Sequence, residues 1–287
     1  MLSNTFISMD FIYSTSILAK NRYDELVPNG KDTLKQINSH QRDSLIYFDE
    51  PSHKYTVYGR DYISATTFIS QFFSKFDTKV AINSILRCKR INDPSYEYFG
   101  MNAEEISEKW KLGNTLGTLL HFYIEQFYNN NHIDNNFLEY QYFLNFFNDT
   151  MHNPDYIPFN TEKRIYSNRY KIAGSIDMIF KKANGHYNIY DWKRAARIDF
   201  THRDLRYPKF GLLIPEMQII PDVNYYKYAI QQNLYKRILE DEYGYIIDEL
   251  FLLILHPNNE NYIRIPIPIM KTQIDAMLNY RLNEISI

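Results

Sequence analysis

Residues 187–195, YNIYDWKRA, set Asp191 and Lys193 two positions apart with Trp192 between them. The run favours β structure, and residues i and i+2 of a strand share a face. A carboxylate and an ammonium therefore project side by side, while Tyr190 and Trp192 face the other way. Asp177 lies fourteen residues before Asp191, in GSIDMIF, on a strand-like run that leads to Asn184-Gly185, a strong hairpin signal. Adjacent antiparallel strands can bring Asp177 and Asp191 to the same end of a sheet. Two close carboxylates repel unless a positive charge lies between them. A hard divalent cation is the natural partner for carboxylate oxygens. Lys193, beside such an ion, is placed to orient an attacking water and to stabilise charge building on a phosphate.

The elements that must position these residues follow from hydrophobic periodicity. Residues 1–43 read as an N-terminal arm or subdomain, with VPNGKD a turn, and 44–287 as the main domain. LIYFDEPSHKYTVYGRDYIS reads as short strands, and Ser64 as the N-cap of the helix ATTFISQFFSKF. A helix is expected near 78–90 and another over 102–130, broken around Gly113 or Gly117. A further helix near 136–149 ends before NPDYIP. The period then changes to 2, giving three strands in TEKRIYSN, YKIAGSIDMIFKKA and HYNIYDWKR. An irregular segment, 198–222, leads to the helix VNYYKYAIQQNLYKRILEDEYG, then two strands and a C-terminal helix. The predicted class is α/β, a central mixed sheet flanked by helices, with an N-terminal extension.

GSIDMIF followed by YNIYDWKR resembles the core of the PD-(D/E)XK nuclease superfamily, with its restriction-endonuclease-like fold. Three more stretches make the chain similar to the RecB-type exonuclease branch: GTLLHFYIE with His121, TEKRIY with Glu162, and YAIQQNLY with Tyr228, Gln231 and Tyr235. Large-DNA-virus and mitochondrial genome-maintenance exonucleases belong to the same circle. The resemblance spans roughly residues 45–265 with all five motifs in order. It implies that His121, Asp177 and Asp191 bind Mg²⁺ or Mn²⁺, as one ion or two, with the Trp192 carbonyl a further ligand. It implies that Lys193 assists the attacking water, and that Gln231 and Tyr235 line the substrate side. The four-cysteine cluster of some relatives is absent. Arg194 replaces the Thr or Ser often found after the lysine, which suggests an altered phosphate contact.

Each residue also has an ordinary reading. Asp191–Lys193 in isolation is a solvated ion pair of little energetic worth. His121 and Glu125 have the spacing of an i,i+4 helix pair. Glu162 has Lys163 and Arg164 beside it, and Gln231 and Tyr235 could cap a core. Five motifs in register favour the catalytic reading for Asp177, Asp191 and Lys193. Glu125 and Glu162 are assigned to supporting the site or holding substrate. His132, His152, His186, His202 and His256 have no ligand spacing and read as structural or surface residues. Arg194, Arg197, Arg203, Arg206 and Lys209 follow the active strand and are suited to phosphates. Tyr207, Phe210, Tyr225 and Tyr226 nearby suit unpaired bases.

Composition sets the outer bounds. The formal net charge of −2 over 287 residues directs the chain to neither DNA nor membrane by bulk charge. The one cysteine, Cys88, excludes an intramolecular disulfide and a cysteine-based zinc or iron–sulfur site. Without a signal-like N-terminus or an apolar run of membrane length, a soluble intracellular protein is expected. The expected activity is a metal-dependent DNA exonuclease acting on free, single-stranded ends in replication, repair or recombination. A structure-selective or nicking endonuclease on the same core is the nearest rival, and a catalytically silent nucleic-acid-binding module the rival of another class.

Overall fold

A computed structural model describes residues 33–129, 131, 133–200 and 214–286. The first half of the chain holds α1 (Leu34–Ile37), β1 (Ile46–Asp49), β2 (Lys54–Val57), β3 (Arg60–Ser64), α2 (Ala65–Ser70), α3 (Thr78–Arg87), α4 (Ala103–Tyr128) and α5 (Leu138–Thr150). The second holds β4 (Ile157–Ser167), β5 (Ile172–Lys181), β6 (Tyr187–Lys193), α6 (Pro215–Gln218), α7 (Asn224–Tyr243), β7 (Ile247–Ile254), β8 (Ile263–Ile267) and α8 (Lys271–Ile285). Two compact units result, one containing Phe76–Tyr123 and the other Asp32–Lys75 with Ile124–Ile287.

The larger unit is built on an eight-stranded mixed sheet in the order β1-β2-β3-β5-β6-β7-β8, with β4 paired to β5. β4, β5 and β6 form an antiparallel meander, and β6 then pairs in parallel with β7. A parallel pair needs a crossover, and α7 lies in the chain between the two strands. The hairpin expected at Asn184-Gly185 forms. Lys182 N–H donates to His186 O at 2.8 Å, and Gly185 takes φ +86°, a conformation glycine adopts without a Cβ penalty.

Alternation along the strands sorts side chains to two faces. Ile189, Leu250, Leu252 and Ile254 pack with Ala229, Ile230, Leu234 and Ile238 of α7 and with Ile274 and Met277 of α8. Tyr190 and Trp192 turn the other way, to Phe143 and Phe146 of α5. Helices thus cover the sheet on both faces. The expected α/β class, a central mixed sheet flanked by helices, is the architecture found, and it is compatible with a nuclease-like core.

Ser64 caps α2 as expected, its hydroxyl accepting the Thr67 N–H at 3.0 Å. The break anticipated near Gly113 or Gly117 does not occur, and Ala103–Tyr128 is one helix of 26 residues. An interior glycine costs only about 1 kcal/mol against alanine, too little to interrupt so many continuous turns. Of the segment 1–43, residues 1–32 lie outside the described residues. From Thr33 onward it is tied to the larger unit: Leu34 N–H donates to Asn129 Oδ1, Asn38 Nδ2 to Phe159 O, and Lys163 to Asp43. Among the described residues no helix is long and apolar enough to cross a membrane.

Candidate metal centre

β6 delivers Asp191 and Lys193 to one face, as strand geometry requires. Lys193 Nζ lies 3.0 Å from Asp191 Oδ1 and 2.8 Å from Oδ2, and 4.7 Å from the centre of the Tyr228 ring on α7. Burial disfavours the ammonium, but the charges of Asp191 and Asp177 and the hydrogen bond to Asp191 outweigh it. The Lys193 pKa is held above the ordinary lysine value. Tyr228 contributes the aromatic face on which this cation rests.

β5 delivers Asp177. The β5–β6 register pairs Met178 with Tyr190, so Asp177 stands level with Asp191 one step along the hairpin. The Trp192 N–H donates to Asp177 Oδ2 at 2.8 Å. The indole ring of Trp192 is fully buried on the opposite face.

β4 delivers Glu162. Its ladder with β5 runs through Thr161↔Met178 and resumes at Lys163↔Ile176, which brackets Glu162 and Asp177 as the pair between. Glu162 takes φ +48°, a left-handed conformation that costs about 1–2 kcal/mol for a residue with a Cβ. Such strain inside a strand is typical of functional positions, where surrounding packing imposes it. Ser175 Oγ donates to Glu162 Oε2 at 3.1 Å.

Ligand atoms of His121, Glu162 and Asp177 lie within 4.8 Å of one another. Metal–ligand bonds of about 2.0–2.6 Å place donors on opposite sides of an ion at most about 5 Å apart, so this group is within reach of a single cation. One imidazole with two carboxylates is a donor set that could hold a divalent cation. Of the residues the sequence pointed to, His121, Glu162 and Asp177 come together. Asp191 is not one of the three; its carboxylate engages Lys193.

The remaining candidates divide. Gln231 Nε2 donates to Tyr235 OH at 2.9 Å, and Tyr235 is buried. Burial and the nearby charges of Asp191 and Asp177 push the Tyr235 hydroxyl well above the usual tyrosine value, although its bond to Gln231 works the other way. Tyr235 occupies the space where a side chain on Gly174 would stand: a Cβ there would lie 2.6 Å from its ring. Glu125 pairs with Lys35 at 2.9 Å. Arg194 Nε meets Glu139 Oε1 of α5 at 2.6 Å, both side chains largely buried. Arg197 is exposed and paired with Asp199.

Arg203, Arg206 and Lys209, with Tyr207, Phe210, His132 and His202, lie outside the described residues. Tyr225 is buried against Phe200 and Tyr226, so its ring packs within the protein rather than offering a stacking face. His186 pairs with Asp248 at 2.8 Å. In the sequence Tyr228 stands out only as part of YAIQQNLY, and Gly174 does not stand out at all. The signal for Tyr228 was its position seven residues before Tyr235, two helical turns on the same face.

No family model and no curated protein matches the chain. The chain is similar to the crystal structure of SSO0001, at 13% identity and a TM-score of 0.33, over 95% of this chain and 86% of that one. It is also similar to the crystal structure of a Eubacterium rectale protein provisionally named an exonuclease. Identity there is 13% and the TM-score 0.35, over 78% of this chain and 79% of that one.

Proposed function

We propose that this chain is a metal-dependent DNA exonuclease of the PD-(D/E)XK type and RecB-like branch, hydrolysing phosphodiester bonds from free, single-stranded ends. The observation that carries the reading is the convergence of His121, Glu162 and Asp177 at the strand position next to the Asp191–Lys193 pair. His121, Glu162 and Asp177 would hold a Mg²⁺ or Mn²⁺ ion, with Asp191 and the Trp192 carbonyl the further ligands that the resemblance implies. When bound, the ion would supply Lewis acidity toward the scissile phosphate.

The protein's own groups do the rest. The Trp192 N–H fixes the Asp177 carboxylate, and Asp191 with the Tyr228 ring holds the Lys193 ammonium on the same face. From there Lys193 orients the attacking water and offsets charge on the phosphate oxygens as the bond breaks. Tyr235 and Gln231 present a hydrogen-bonded pair from α7 on that side of the sheet. An intact set of two acids and a lysine argues against a silent binding module, which has no chemical use for it.

Matched end-labelled linear and covalently closed circular single-stranded DNA, incubated with Mg²⁺, Mn²⁺, Ca²⁺ or EDTA, tests the proposal. Linear DNA should be shortened progressively with Mn²⁺ at least as well as with Mg²⁺. Circles should resist, Ca²⁺ should permit little turnover, and EDTA should abolish cleavage. Comparable cutting of circles would make it an endonuclease. Activity in chelator would remove the metal, and no cutting under any condition would leave the binding module.

A further inference from the structure

Among its described residues the smaller unit leaves several aromatic side chains exposed or half-buried. The buried hydrophobic side chains among them are Ile82, Ile106, Leu119, Leu120 and Tyr123. Phe76 and Phe99 by contrast are 68% and 48% exposed, and Tyr96, Tyr98 and Trp110 are each half-buried. Aromatic rings are the largest apolar payload a small unit can bury, so leaving them outside forgoes stability.

These rings form a row. Phe76 and Trp110 lie with centroids 6.0 Å apart, Trp110 Nε1–H donates to Tyr98 OH at 3.0 Å, and Tyr98 meets Tyr96 at 5.4 Å. Cations rest on it: the Arg90 guanidinium is 4.5 Å from the Tyr96 centroid and the Lys109 ammonium 5.0 Å from that of Tyr98. Arg87 and Lys89 extend the exposed positive charge beside Arg90. Glu97, between the two tyrosines in sequence, is exposed, and its carbonyl accepts from Lys109 Nζ at 2.6 Å.

Ring faces and cations in one row fit one class of ligand better than others. Unpaired bases stack on aromatic rings while their phosphates pair with Lys and Arg. A duplex keeps its bases stacked on each other and gives the rings nothing. An acidic peptide would draw on the cations alone and make no use of the Phe76 and Trp110 rings. We infer that the Phe76–Trp110–Tyr98–Tyr96 row, with Arg90, is a binding site for single-stranded nucleic acid. It shares no residue with the metal centre and requires no hydrolysis.

Trp110 is its own reporter, because the chain has two tryptophans and the other, Trp192, is buried. The full chain is titrated in EDTA with an oligothymidylate of about 15 nucleotides, near the upper site size of single-strand binders. Tryptophan emission should be quenched saturably. Phe76→Ala and Tyr96→Ala should each weaken binding by about 5- to 100-fold, the usual loss for one stacking ring. Arg90→Ala should lower the salt slope by about 0.7. Phe76 is so exposed that its variant should melt like the wild type.

Wild-type affinity in a normally melting Phe76→Ala variant would overturn the site. So would equal binding of a duplex of the same length, or equal competition by polyglutamate, which would mark a protein-binding surface. The measurement is made without metal, so failure of the nuclease reading leaves its result intact.

Discussion

The main-chain N–H of Trp192 donates to the Asp177 carboxylate across the β5–β6 hairpin at 2.8 Å. The residue separating Asp191 from Lys193 therefore fixes the acid on the neighbouring strand with its backbone, while its ring anchors the opposite face. One residue links the two halves of the candidate site through main chain and side chain together.

That bond allows charge and position to be separated at Asp177. In Asp177→Asn the amide oxygen still accepts from Trp192, but the negative charge beside Glu162 is gone. Repulsion between close carboxylates disfavours the ion-free protein, so the variant without metal should melt at or above the wild-type temperature. Its Mn²⁺ affinity should fall at least about tenfold, the usual order for a lost metal-site interaction, and the stabilisation that Mn²⁺ confers should shrink with it. Calorimetric titration and melting with and without Mn²⁺ check both. An unchanged Mn²⁺ affinity would remove Asp177 from the ligand set.

Lys193 carries the next prediction. Its ammonium is bonded to Asp191 and rests on the Tyr228 ring, with the Asp177 charge adding to its hold. Lys193→Ala should leave Mn²⁺ affinity largely intact and lower turnover by about 10²–10⁴, the scale for one charge-stabilising or proton-handling group. Single-turnover cleavage of end-labelled DNA measures it, and a wild-type rate would rule out the assigned role.

Gly174 is tested through stability. A Cβ there would meet the buried Tyr235 ring at 2.6 Å, and a ring held by Gln231 and the surrounding core has little room to retreat. Gly174→Ala should cost about 1–3 kcal/mol, the usual price of overpacking. Tyr235→Leu in the same chain should recover part of that loss. Urea unfolding of the two single variants and the double variant gives the coupling, and additive losses would contradict the contact.

Acid sensitivity should have a component from His256. Burial lowers its pKa from 6.5 to about 4, with the Arg194 charge adding to the shift and Glu139 opposing it. The Asn258 N–H donates to its Nδ1 at 3.1 Å, which suits the neutral ring. Between pH 6.5 and about 4 the unfolded chain takes up a proton at this residue that the folded chain refuses. Its contribution is therefore fully present above pH 6.5 and is lost progressively as pH falls to about 4. Melting temperatures of wild type and His256→Gln across pH 8 to 4 should converge on acidification. Parallel curves would show that His256 does not contribute.

Local chemistry made the strands legible. The alternation that buries Tyr190 and Trp192 away from Asp191 and Lys193 is a property of any pleated strand, and the hairpin at Asn184-Gly185 follows from a glycine free to take positive φ. The acids and the lysine were therefore readable from residue types and spacing of two. The Ser64 cap was readable for the same reason, since the hydroxyl and the N–H it serves are three residues apart.

Which donors stand within reach of one cation was decided by tertiary structure. Glu162 enters the group with His121 and Asp177 through a left-handed residue that interrupts the β4–β5 ladder, and no propensity places a glutamate there. Arg194 turns to Glu139, 55 positions earlier, and Glu125 to Lys35, 90 positions earlier. A long charged side chain has many rotamers, and its choice among partners depends on charges brought near by distant parts of the chain. Periodicity determined which face of the sheet would carry the acids. Only the folded arrangement of strands and helices decided which donors stand close enough for one ion.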